Sequence, residues 1–287
     1  MQRNLRPFLL LLAAAVASGT RAPAQTTTFL IPDRYELVGE GEVAVHAANR
    51  TADGLRTIAW PGRDLDWLYA RTAGTQTNIP GETSARSGEE LVRIALGQPD
   101  AALVGFDRRP WIERVPAADF RKFLEADVAA SALPADWTSR IKGETVRVRR
   151  VESAKLVVRM TRGAAGKEEV RGSATAPSKV GQRTEIRPLV DPTVMAVGSD
   201  LPLRISWADP SSVDTTIVAR QPATGTRIAA LSQKGAGWFT VNAPGEWLVE
   251  VHRAKVLSGD SAADWELETA TLSFVVPAAA KPAGGGK

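Results

Sequence analysis

Apolar residues recur at every second position in one short run after another along this chain, and glycine and proline cut the runs apart. Leu201, Leu203, Ile205 and Trp207 fall on one side of such a run, while Arg204 and Ser206 fall on the other. That alternation is what a strand with one face on a core requires. Residues 238–241 read as a second strand, Asn242-Ala243-Pro244-Gly245 as a turn, and 247–252 as a third strand with Trp247, Val249 and Val251 inward. Ala270, Leu272, Phe274 and Val276 line one face of a last strand. With 185–189 and 215–220 added, six or seven short strands between turns predict a β-sandwich over residues 183–277.

The preceding region, 25–160, reads as a second sandwich with an insertion. Candidate strands lie at 29–38, 42–48, 90–96 and 101–106, each bounded by Gly, Pro or Asp. From Pro116 the period lengthens: Phe120, Phe123, Leu124 and Val128 recur at helical spacing until Pro134. The spacing predicts one amphipathic helix over 116–133. Val146 and Val148, then Ala154, Leu156, Val158 and Met160, return to strand period. Residues 161–182, rich in Gly, Ala, Ser and Lys, read as a linker or long loop between the halves, and 278–287 as a flexible tail. The expected fold is therefore mainly β, with two β-sandwich domains of immunoglobulin or transthyretin type, the first carrying one inserted amphipathic helix.

Such a fold must hold without covalent staples, because the 287 residues contain no cysteine. Disulfide frameworks, thiolate metal sites, covalent haem attachment and a lipid anchor on an N-terminal cysteine are all excluded. Arg3 and Arg6, the apolar stretch 8–16 and Ala22-Pro23-Ala24 predict a signal peptide over residues 1–24. The expected location is periplasmic, reached through the inner membrane, as a protein that is neither membrane-spanning nor a lipoprotein. Losing Arg3, Arg6 and Arg21 with the peptide lowers the formal charge of +4 to about +1, so the basic balance is no argument for nucleic acid.

The residues that could carry chemistry are few. The two histidines, His46 and His252, fall on the polar faces of their strands, so neither reads as a packed core residue. Glu250 shares the polar face with His252 two positions away, a spacing at which two side chains can meet one ion and which is also common on a solvated strand. No G-x-S-x-G, H-E-x-x-H, Walker or dinucleotide pattern occurs. Asp64, Asp66, Glu89 and Glu90 read as solvated loop acids rather than a glycosidase pair. Arg147, Arg149, Lys155 and Arg159 form a basic stripe on outer strand faces, fit for an anionic polymer or membrane surface, or for compensation by acids elsewhere. Among eight tryptophans, Trp207 and Trp247 read as core, whereas Trp60, Trp67 and Trp111 are the freer candidates for a sugar platform.

Several segments together give a resemblance. Phe29-Leu30-Ile31-Pro32, the run 119–125, Ser153-Ala154-Lys155-Leu156-Val157, the run 185–192, Gly198-Ser199-Asp200-Leu201-Pro202-Leu203, Gly245-Glu246-Trp247-Leu248, His252, Asp264-Trp265-Glu266 and Ala270-Thr271-Leu272-Ser273-Phe274 occur in the order seen in an exported bacterial family. The chain resembles that family, catalogued as domain of unknown function 4198. The resemblance implies a non-enzymatic periplasmic binding or accessory protein linked to nickel or cobalt uptake, with the metal as transported ligand and a metal-uptake membrane component as partner. It also implies His252 as a metal ligand; with no thiol and only two histidines in the chain, such a site must be completed by carboxylates such as Glu250 or Asp264, or by the terminal amine. Members carry a histidine near the mature N-terminus, where this chain has Thr26, Thr27 and Thr28. The alternative expectation is an envelope module that binds glycan or protein partners.

Overall fold

The structure, a computed structural model, describes residues 27–38, 41–51, 54–79, 91–96, 101–161, 172–209, 213–260 and 262–278. The expected signal peptide, residues 162–171 of the expected linker and residues 279–287 of the tail lie outside the described residues. The first half contains β1 (Thr28–Pro32), β2 (Glu36–Val38), β3 (Gly41–Thr51), β4 (Gly54–Ile58), β5 (Leu65–Thr72), β6 (Thr75–Asn78), β7 (Leu91–Leu96), β8 (Ala101–Arg108) and β9 (Trp111–Pro116). Helices α1 (Ala117–Asp127) and α2 (Trp137–Arg140) follow. The chain then runs through β10 (Thr145–Thr161), β11 (Glu185–Pro188), β12 (Asp200–Ser206), β13 (Thr215–Gln221), β14 (Thr226–Ser232), β15 (Ala236–Thr240), β16 (Gly245–Val256) and β17 (Trp265–Val276).

One large sheet organises the molecule, in the order β14-β13-β16-β17-β10-β8-β5-β6, with β2 and β9 also paired to β10. Its two halves are joined by β10 and β17, which run parallel from Val148 opposite Trp265 to Leu156 opposite Ser273. Each face of this shared sheet carries a smaller one. On one face the sheet β11-β12-β15 packs over Trp247, Val249, Val251, Leu272 and Phe274, and this core reaches Tyr69, Leu103 and Val157 of the first half. On the opposite face β3, hydrogen-bonded to β1, β4 and β7, packs over Leu68, Val104, Phe106, Leu156 and Val158. The period of two sends Val157 to one core and its neighbours to the other, so β10 is buried on both sides. The result is mainly β with two β-sandwich halves. The Tyr69 ring fits beside β8 because residue 105 is glycine; a Cβ there would stand 2.3 Å from the Tyr69 hydroxyl and 2.8 Å from the Ala154 carbonyl oxygen.

A third core lies under α1, where Phe120 and Leu124 pack with Val146, Val148, Trp265 and Leu267. An isolated helix of this length is marginal in water, so burial of these side chains, worth about 2 kcal/mol each, is what holds it. The helix ends sooner than the expected 116–133. Val128 is extended at φ −112° and ψ 134°, and a single 3-10 turn, Ala130–Ala132, follows. Val128 and Leu133 still pack on the same core, which is why their spacing mimics a longer helix.

The large sheet takes strands from both sides of the expected linker or long loop at 161–182, and residues 173–184 are loop that is pinned rather than loose. Val180 N–H and Gly181 N–H donate to Glu185, and the Gln182 side-chain amide donates to the carbonyls of Phe106 and Ala154, both at 2.9 Å. The expected strand 29–38 is two strands, broken at Asp33, Arg34 and Tyr35.

Candidate functional site

Between the apolar patch under β3 and the one under α1, the same face of the shared sheet is polar. It presents Thr269, Thr271 and Ser273 from β17, Glu250 and His252 from β16, and Arg220 from β13. β1 covers part of it: the Thr271 hydroxyl donates to the Thr28 carbonyl at 2.8 Å, and Glu152 of β10 accepts from the Thr28 amide at 2.8 Å. Helix α1 covers another part, with the Phe123 ring edge-on to His252 at 4.9 Å. His252 is therefore 0% exposed, contrary to the solvated placement expected from alternation. Its Nδ1 lies 3.1 Å from the Thr269 hydroxyl and its Nε2 lies 3.4 Å from Glu250 Oε2.

Glu250, also 0% exposed, is the anchor of the cluster. Arg220 Nε donates to its Oε1 at 3.0 Å, and Arg50 Nε, reaching over from β3, lies 3.2 Å from the same oxygen. Burial pushes this carboxyl up, but the hydrogen bond and charge of His252 together with the charges of Arg50 and Arg220 outweigh it and bring the pKa down to about 2. Asp127, in the last turn of α1, faces the unfavourable end of the helix dipole. Three guanidiniums compensate, with Nη2 of Arg227 at 3.0 Å, of Arg50 at 3.4 Å and of Arg220 at 3.5 Å.

Arg50 and Arg220 also line an open cleft of ≈ 390 Å³ between the adjoining ends of β3 and β4 and the β13–β14 turn, with Leu55, Pro222, Thr226 and Leu248 as further walls. The buried acids fix the guanidiniums from below. This arrangement can present hydrogen-bond donors and positive charge to a ligand without moving.

The metal set expected from the resemblance does not assemble. Glu250 and His252 are neighbours, but Asp264 lies opposite Leu257, five residues or about 17 Å along the ladder from His252. Asp264 is held by Arg147, whose Nη2 donates to it at 2.7 Å, and this pairing keeps its carboxyl below the usual range. Two guanidiniums, those of Arg50 and Arg220, already share Glu250 Oε1, and their charge repels a metal ion at that carboxylate. Among the described residues no three His, Cys, Asp or Glu side chains gather as a ligand group. The residues present do not fit a resident nickel or cobalt.

Other expected site residues resolve as structural pairs. Lys155 is 0% exposed and donates to Glu185 at 2.6 Å and to the Ile186 carbonyl at 3.1 Å. Of the rest of the basic stripe, Arg149 pairs with Asp260 and Arg159 with Glu36 at 3.9 Å. Asp64 pairs with Arg108 and Asp66 with Arg183, while Glu89 and Glu90 lie outside the described residues. Trp60 is buried against Phe106, Trp67 stacks on Tyr69 and Trp111 sits under the Arg108 guanidinium, so none of the three is a free platform. The exposed tryptophan is Trp238 of β15, at 62%. Its alternation with buried Phe239 was the available signal. Arg50 and Arg220, far apart in sequence, carried none.

No family model and no curated protein matches the chain. Solved structures to which it is similar include the fibronectin(III)-like modules of Clostridium thermocellum CbhA, 8% identical, covering 90% of this chain and 100% of that one at a TM-score of 0.21. A Ca2+-stabilized adhesin of an Antarctic bacterium is 12% identical over 88% of this chain and 49% of its own, at 0.21. The ectodomain of mouse nectin-like molecule 4 is 11% identical over 92% of this chain and 67% of its own, also at 0.21.

Proposed function

We propose that the chain is a non-enzymatic binding or accessory protein of the bacterial periplasm, with its ligand site in the Arg50–Arg220 cleft. The observation that carries this reading is an open cleft whose cationic wall is held rigid by two buried acids. Against hydrolysis stands the position of His252, which is sealed beneath Phe123 with its ring against Glu250 and Thr269. Nickel or cobalt as cargo, and a membrane uptake component as partner, rest on the resemblance alone. The second reading, an envelope module gripping a glycan or a protein, draws on Trp238 and Leu231, exposed on the successive strands β15 and β14.

Saturation-transfer NMR on the purified protein with neutral sugars, acidic sugars and phosphate esters, together with calorimetry with nickel chloride, tests the choice. At least one organic class binds without turnover, and Leu55→Trp, which fills the cleft, abolishes that binding. Binding that survives Leu55→Trp and vanishes in Trp238→Ala favours the second reading. Turnover of any compound, or a nickel site lost in His252→Ala, overturns the assignment to the cleft.

A further inference from the structure

The hydrogen bonds around Arg50 and Arg220 show which of their donors remain. Each uses Nε on Glu250, and each directs Nη2 toward Asp127. Nη1 of both arginines meets no protein acceptor among the described residues, and both side chains are about one-fifth exposed on the cleft wall. Neutralising Glu250 and Asp127 takes two cations, but Arg50, Arg220 and Arg227 supply three before any charge on His252 is counted. At least one positive charge is thus in excess, beside walls made partly of Leu55, Pro222 and Leu248, where lowered water access strengthens attraction. The cleft volume lies within the range of small-molecule sites.

Building on the binding-protein reading, we infer that the cleft is a receptor for an oxyanion, a carboxylate or phosphate on a body of monosaccharide size, held by the Nη1 groups of Arg50 and Arg220. Two planar forks fixed from below match the geometry of such a group, and the ordering cost on binding is already met by the fold.

Calorimetry at low ionic strength with inorganic phosphate, glucuronate and glucose tests this. Phosphate or glucuronate binds and glucose does not; whichever of the two anions binds more tightly identifies the source of the oxyanion. Arg220→Lys keeps a cation beside Glu250 but removes the fork, so it melts within a few degrees of wild type and loses at least about tenfold in affinity, the order of one charge-assisted hydrogen bond. Arg50→Lys does the same. Raising salt from about 20 to about 300 mM weakens binding severalfold. Glucose binding as tightly as glucuronate, anion binding unchanged in both lysine variants, or affinity indifferent to salt overturns the inference. If only neutral compounds bind and Leu55→Trp abolishes them, the oxyanion falls while the binding-protein reading stands.

Discussion

Replacing Glu250 with glutamine keeps the shape of the side chain and removes its charge, which isolates what that charge does in the folded state. The carboxyl falls from an ordinary value of 4.5 to about 2 on folding. Each unit is worth 1.36 kcal/mol, so the ionised form contributes about 3 kcal/mol to stability at neutral pH. A depressed acid contributes fully above its unfolded pKa and loses that contribution as pH falls through the folded one. Between pH 7 and pH 3 about 2 kcal/mol of it disappears, the remainder going below pH 3. Urea unfolding of wild type and Glu250→Gln at both pH values reads this directly. At pH 7 the variant is less stable by about 3 kcal/mol, since Arg50 and Arg220 lose their buried partner. At pH 3 the gap narrows to about 1 kcal/mol. A gap that stays constant across that range would show that Glu250 is not held ionised by Arg50, Arg220 and His252, and the rigid base of the cleft would go with it.

Two further outcomes follow from the packing. Lys155→Met leaves Glu185 buried with only the Val180 and Gly181 amides for company and costs about 3 kcal/mol or more, read as a lowered urea midpoint at pH 7. A fragment ending at residue 161 keeps the core under β3 but loses β17 from the edge of β10, so it gives no cooperative thermal transition; a sharp melt from that fragment would restore two independent domains.

Alternation told the two faces of each strand apart correctly, and the core positions of β12, β16 and β17 follow from it. What alternation does not contain is whether the polar face is covered. On β16 the polar positions Glu250 and His252 are roofed by Phe123 and by residues of β1 and β3, which lie more than a hundred residues earlier, so a surface pair by pattern is a buried pair in space. The same gap hid Lys155, whose neighbours on β10 point to the opposite core while it meets Glu185. Shorter elements failed for another reason. β14, with Thr226, Arg227 and only two half-buried apolar positions, Ile228 and Ala230, lies at the end of the large sheet and carries too weak a contrast between its faces to read as a strand. The unity of the sheet did leave one trace: β10 is 17 residues long and buried along almost its whole middle, which suits a strand with neighbours on both edges better than the last strand of a finished domain.

The pairing of β10 with β17 also sets an order of events. A ribosome releases β10 over a hundred residues before the strand that completes its edge, and everything between belongs to the other half of the molecule. During that interval an apolar strand waits with one line of amides and carbonyls open, the condition under which chains of this kind join one another instead of themselves. Only the arrival of the final strand closes that edge, so a chain cut short near its end loses the seam between its halves and not merely a terminus.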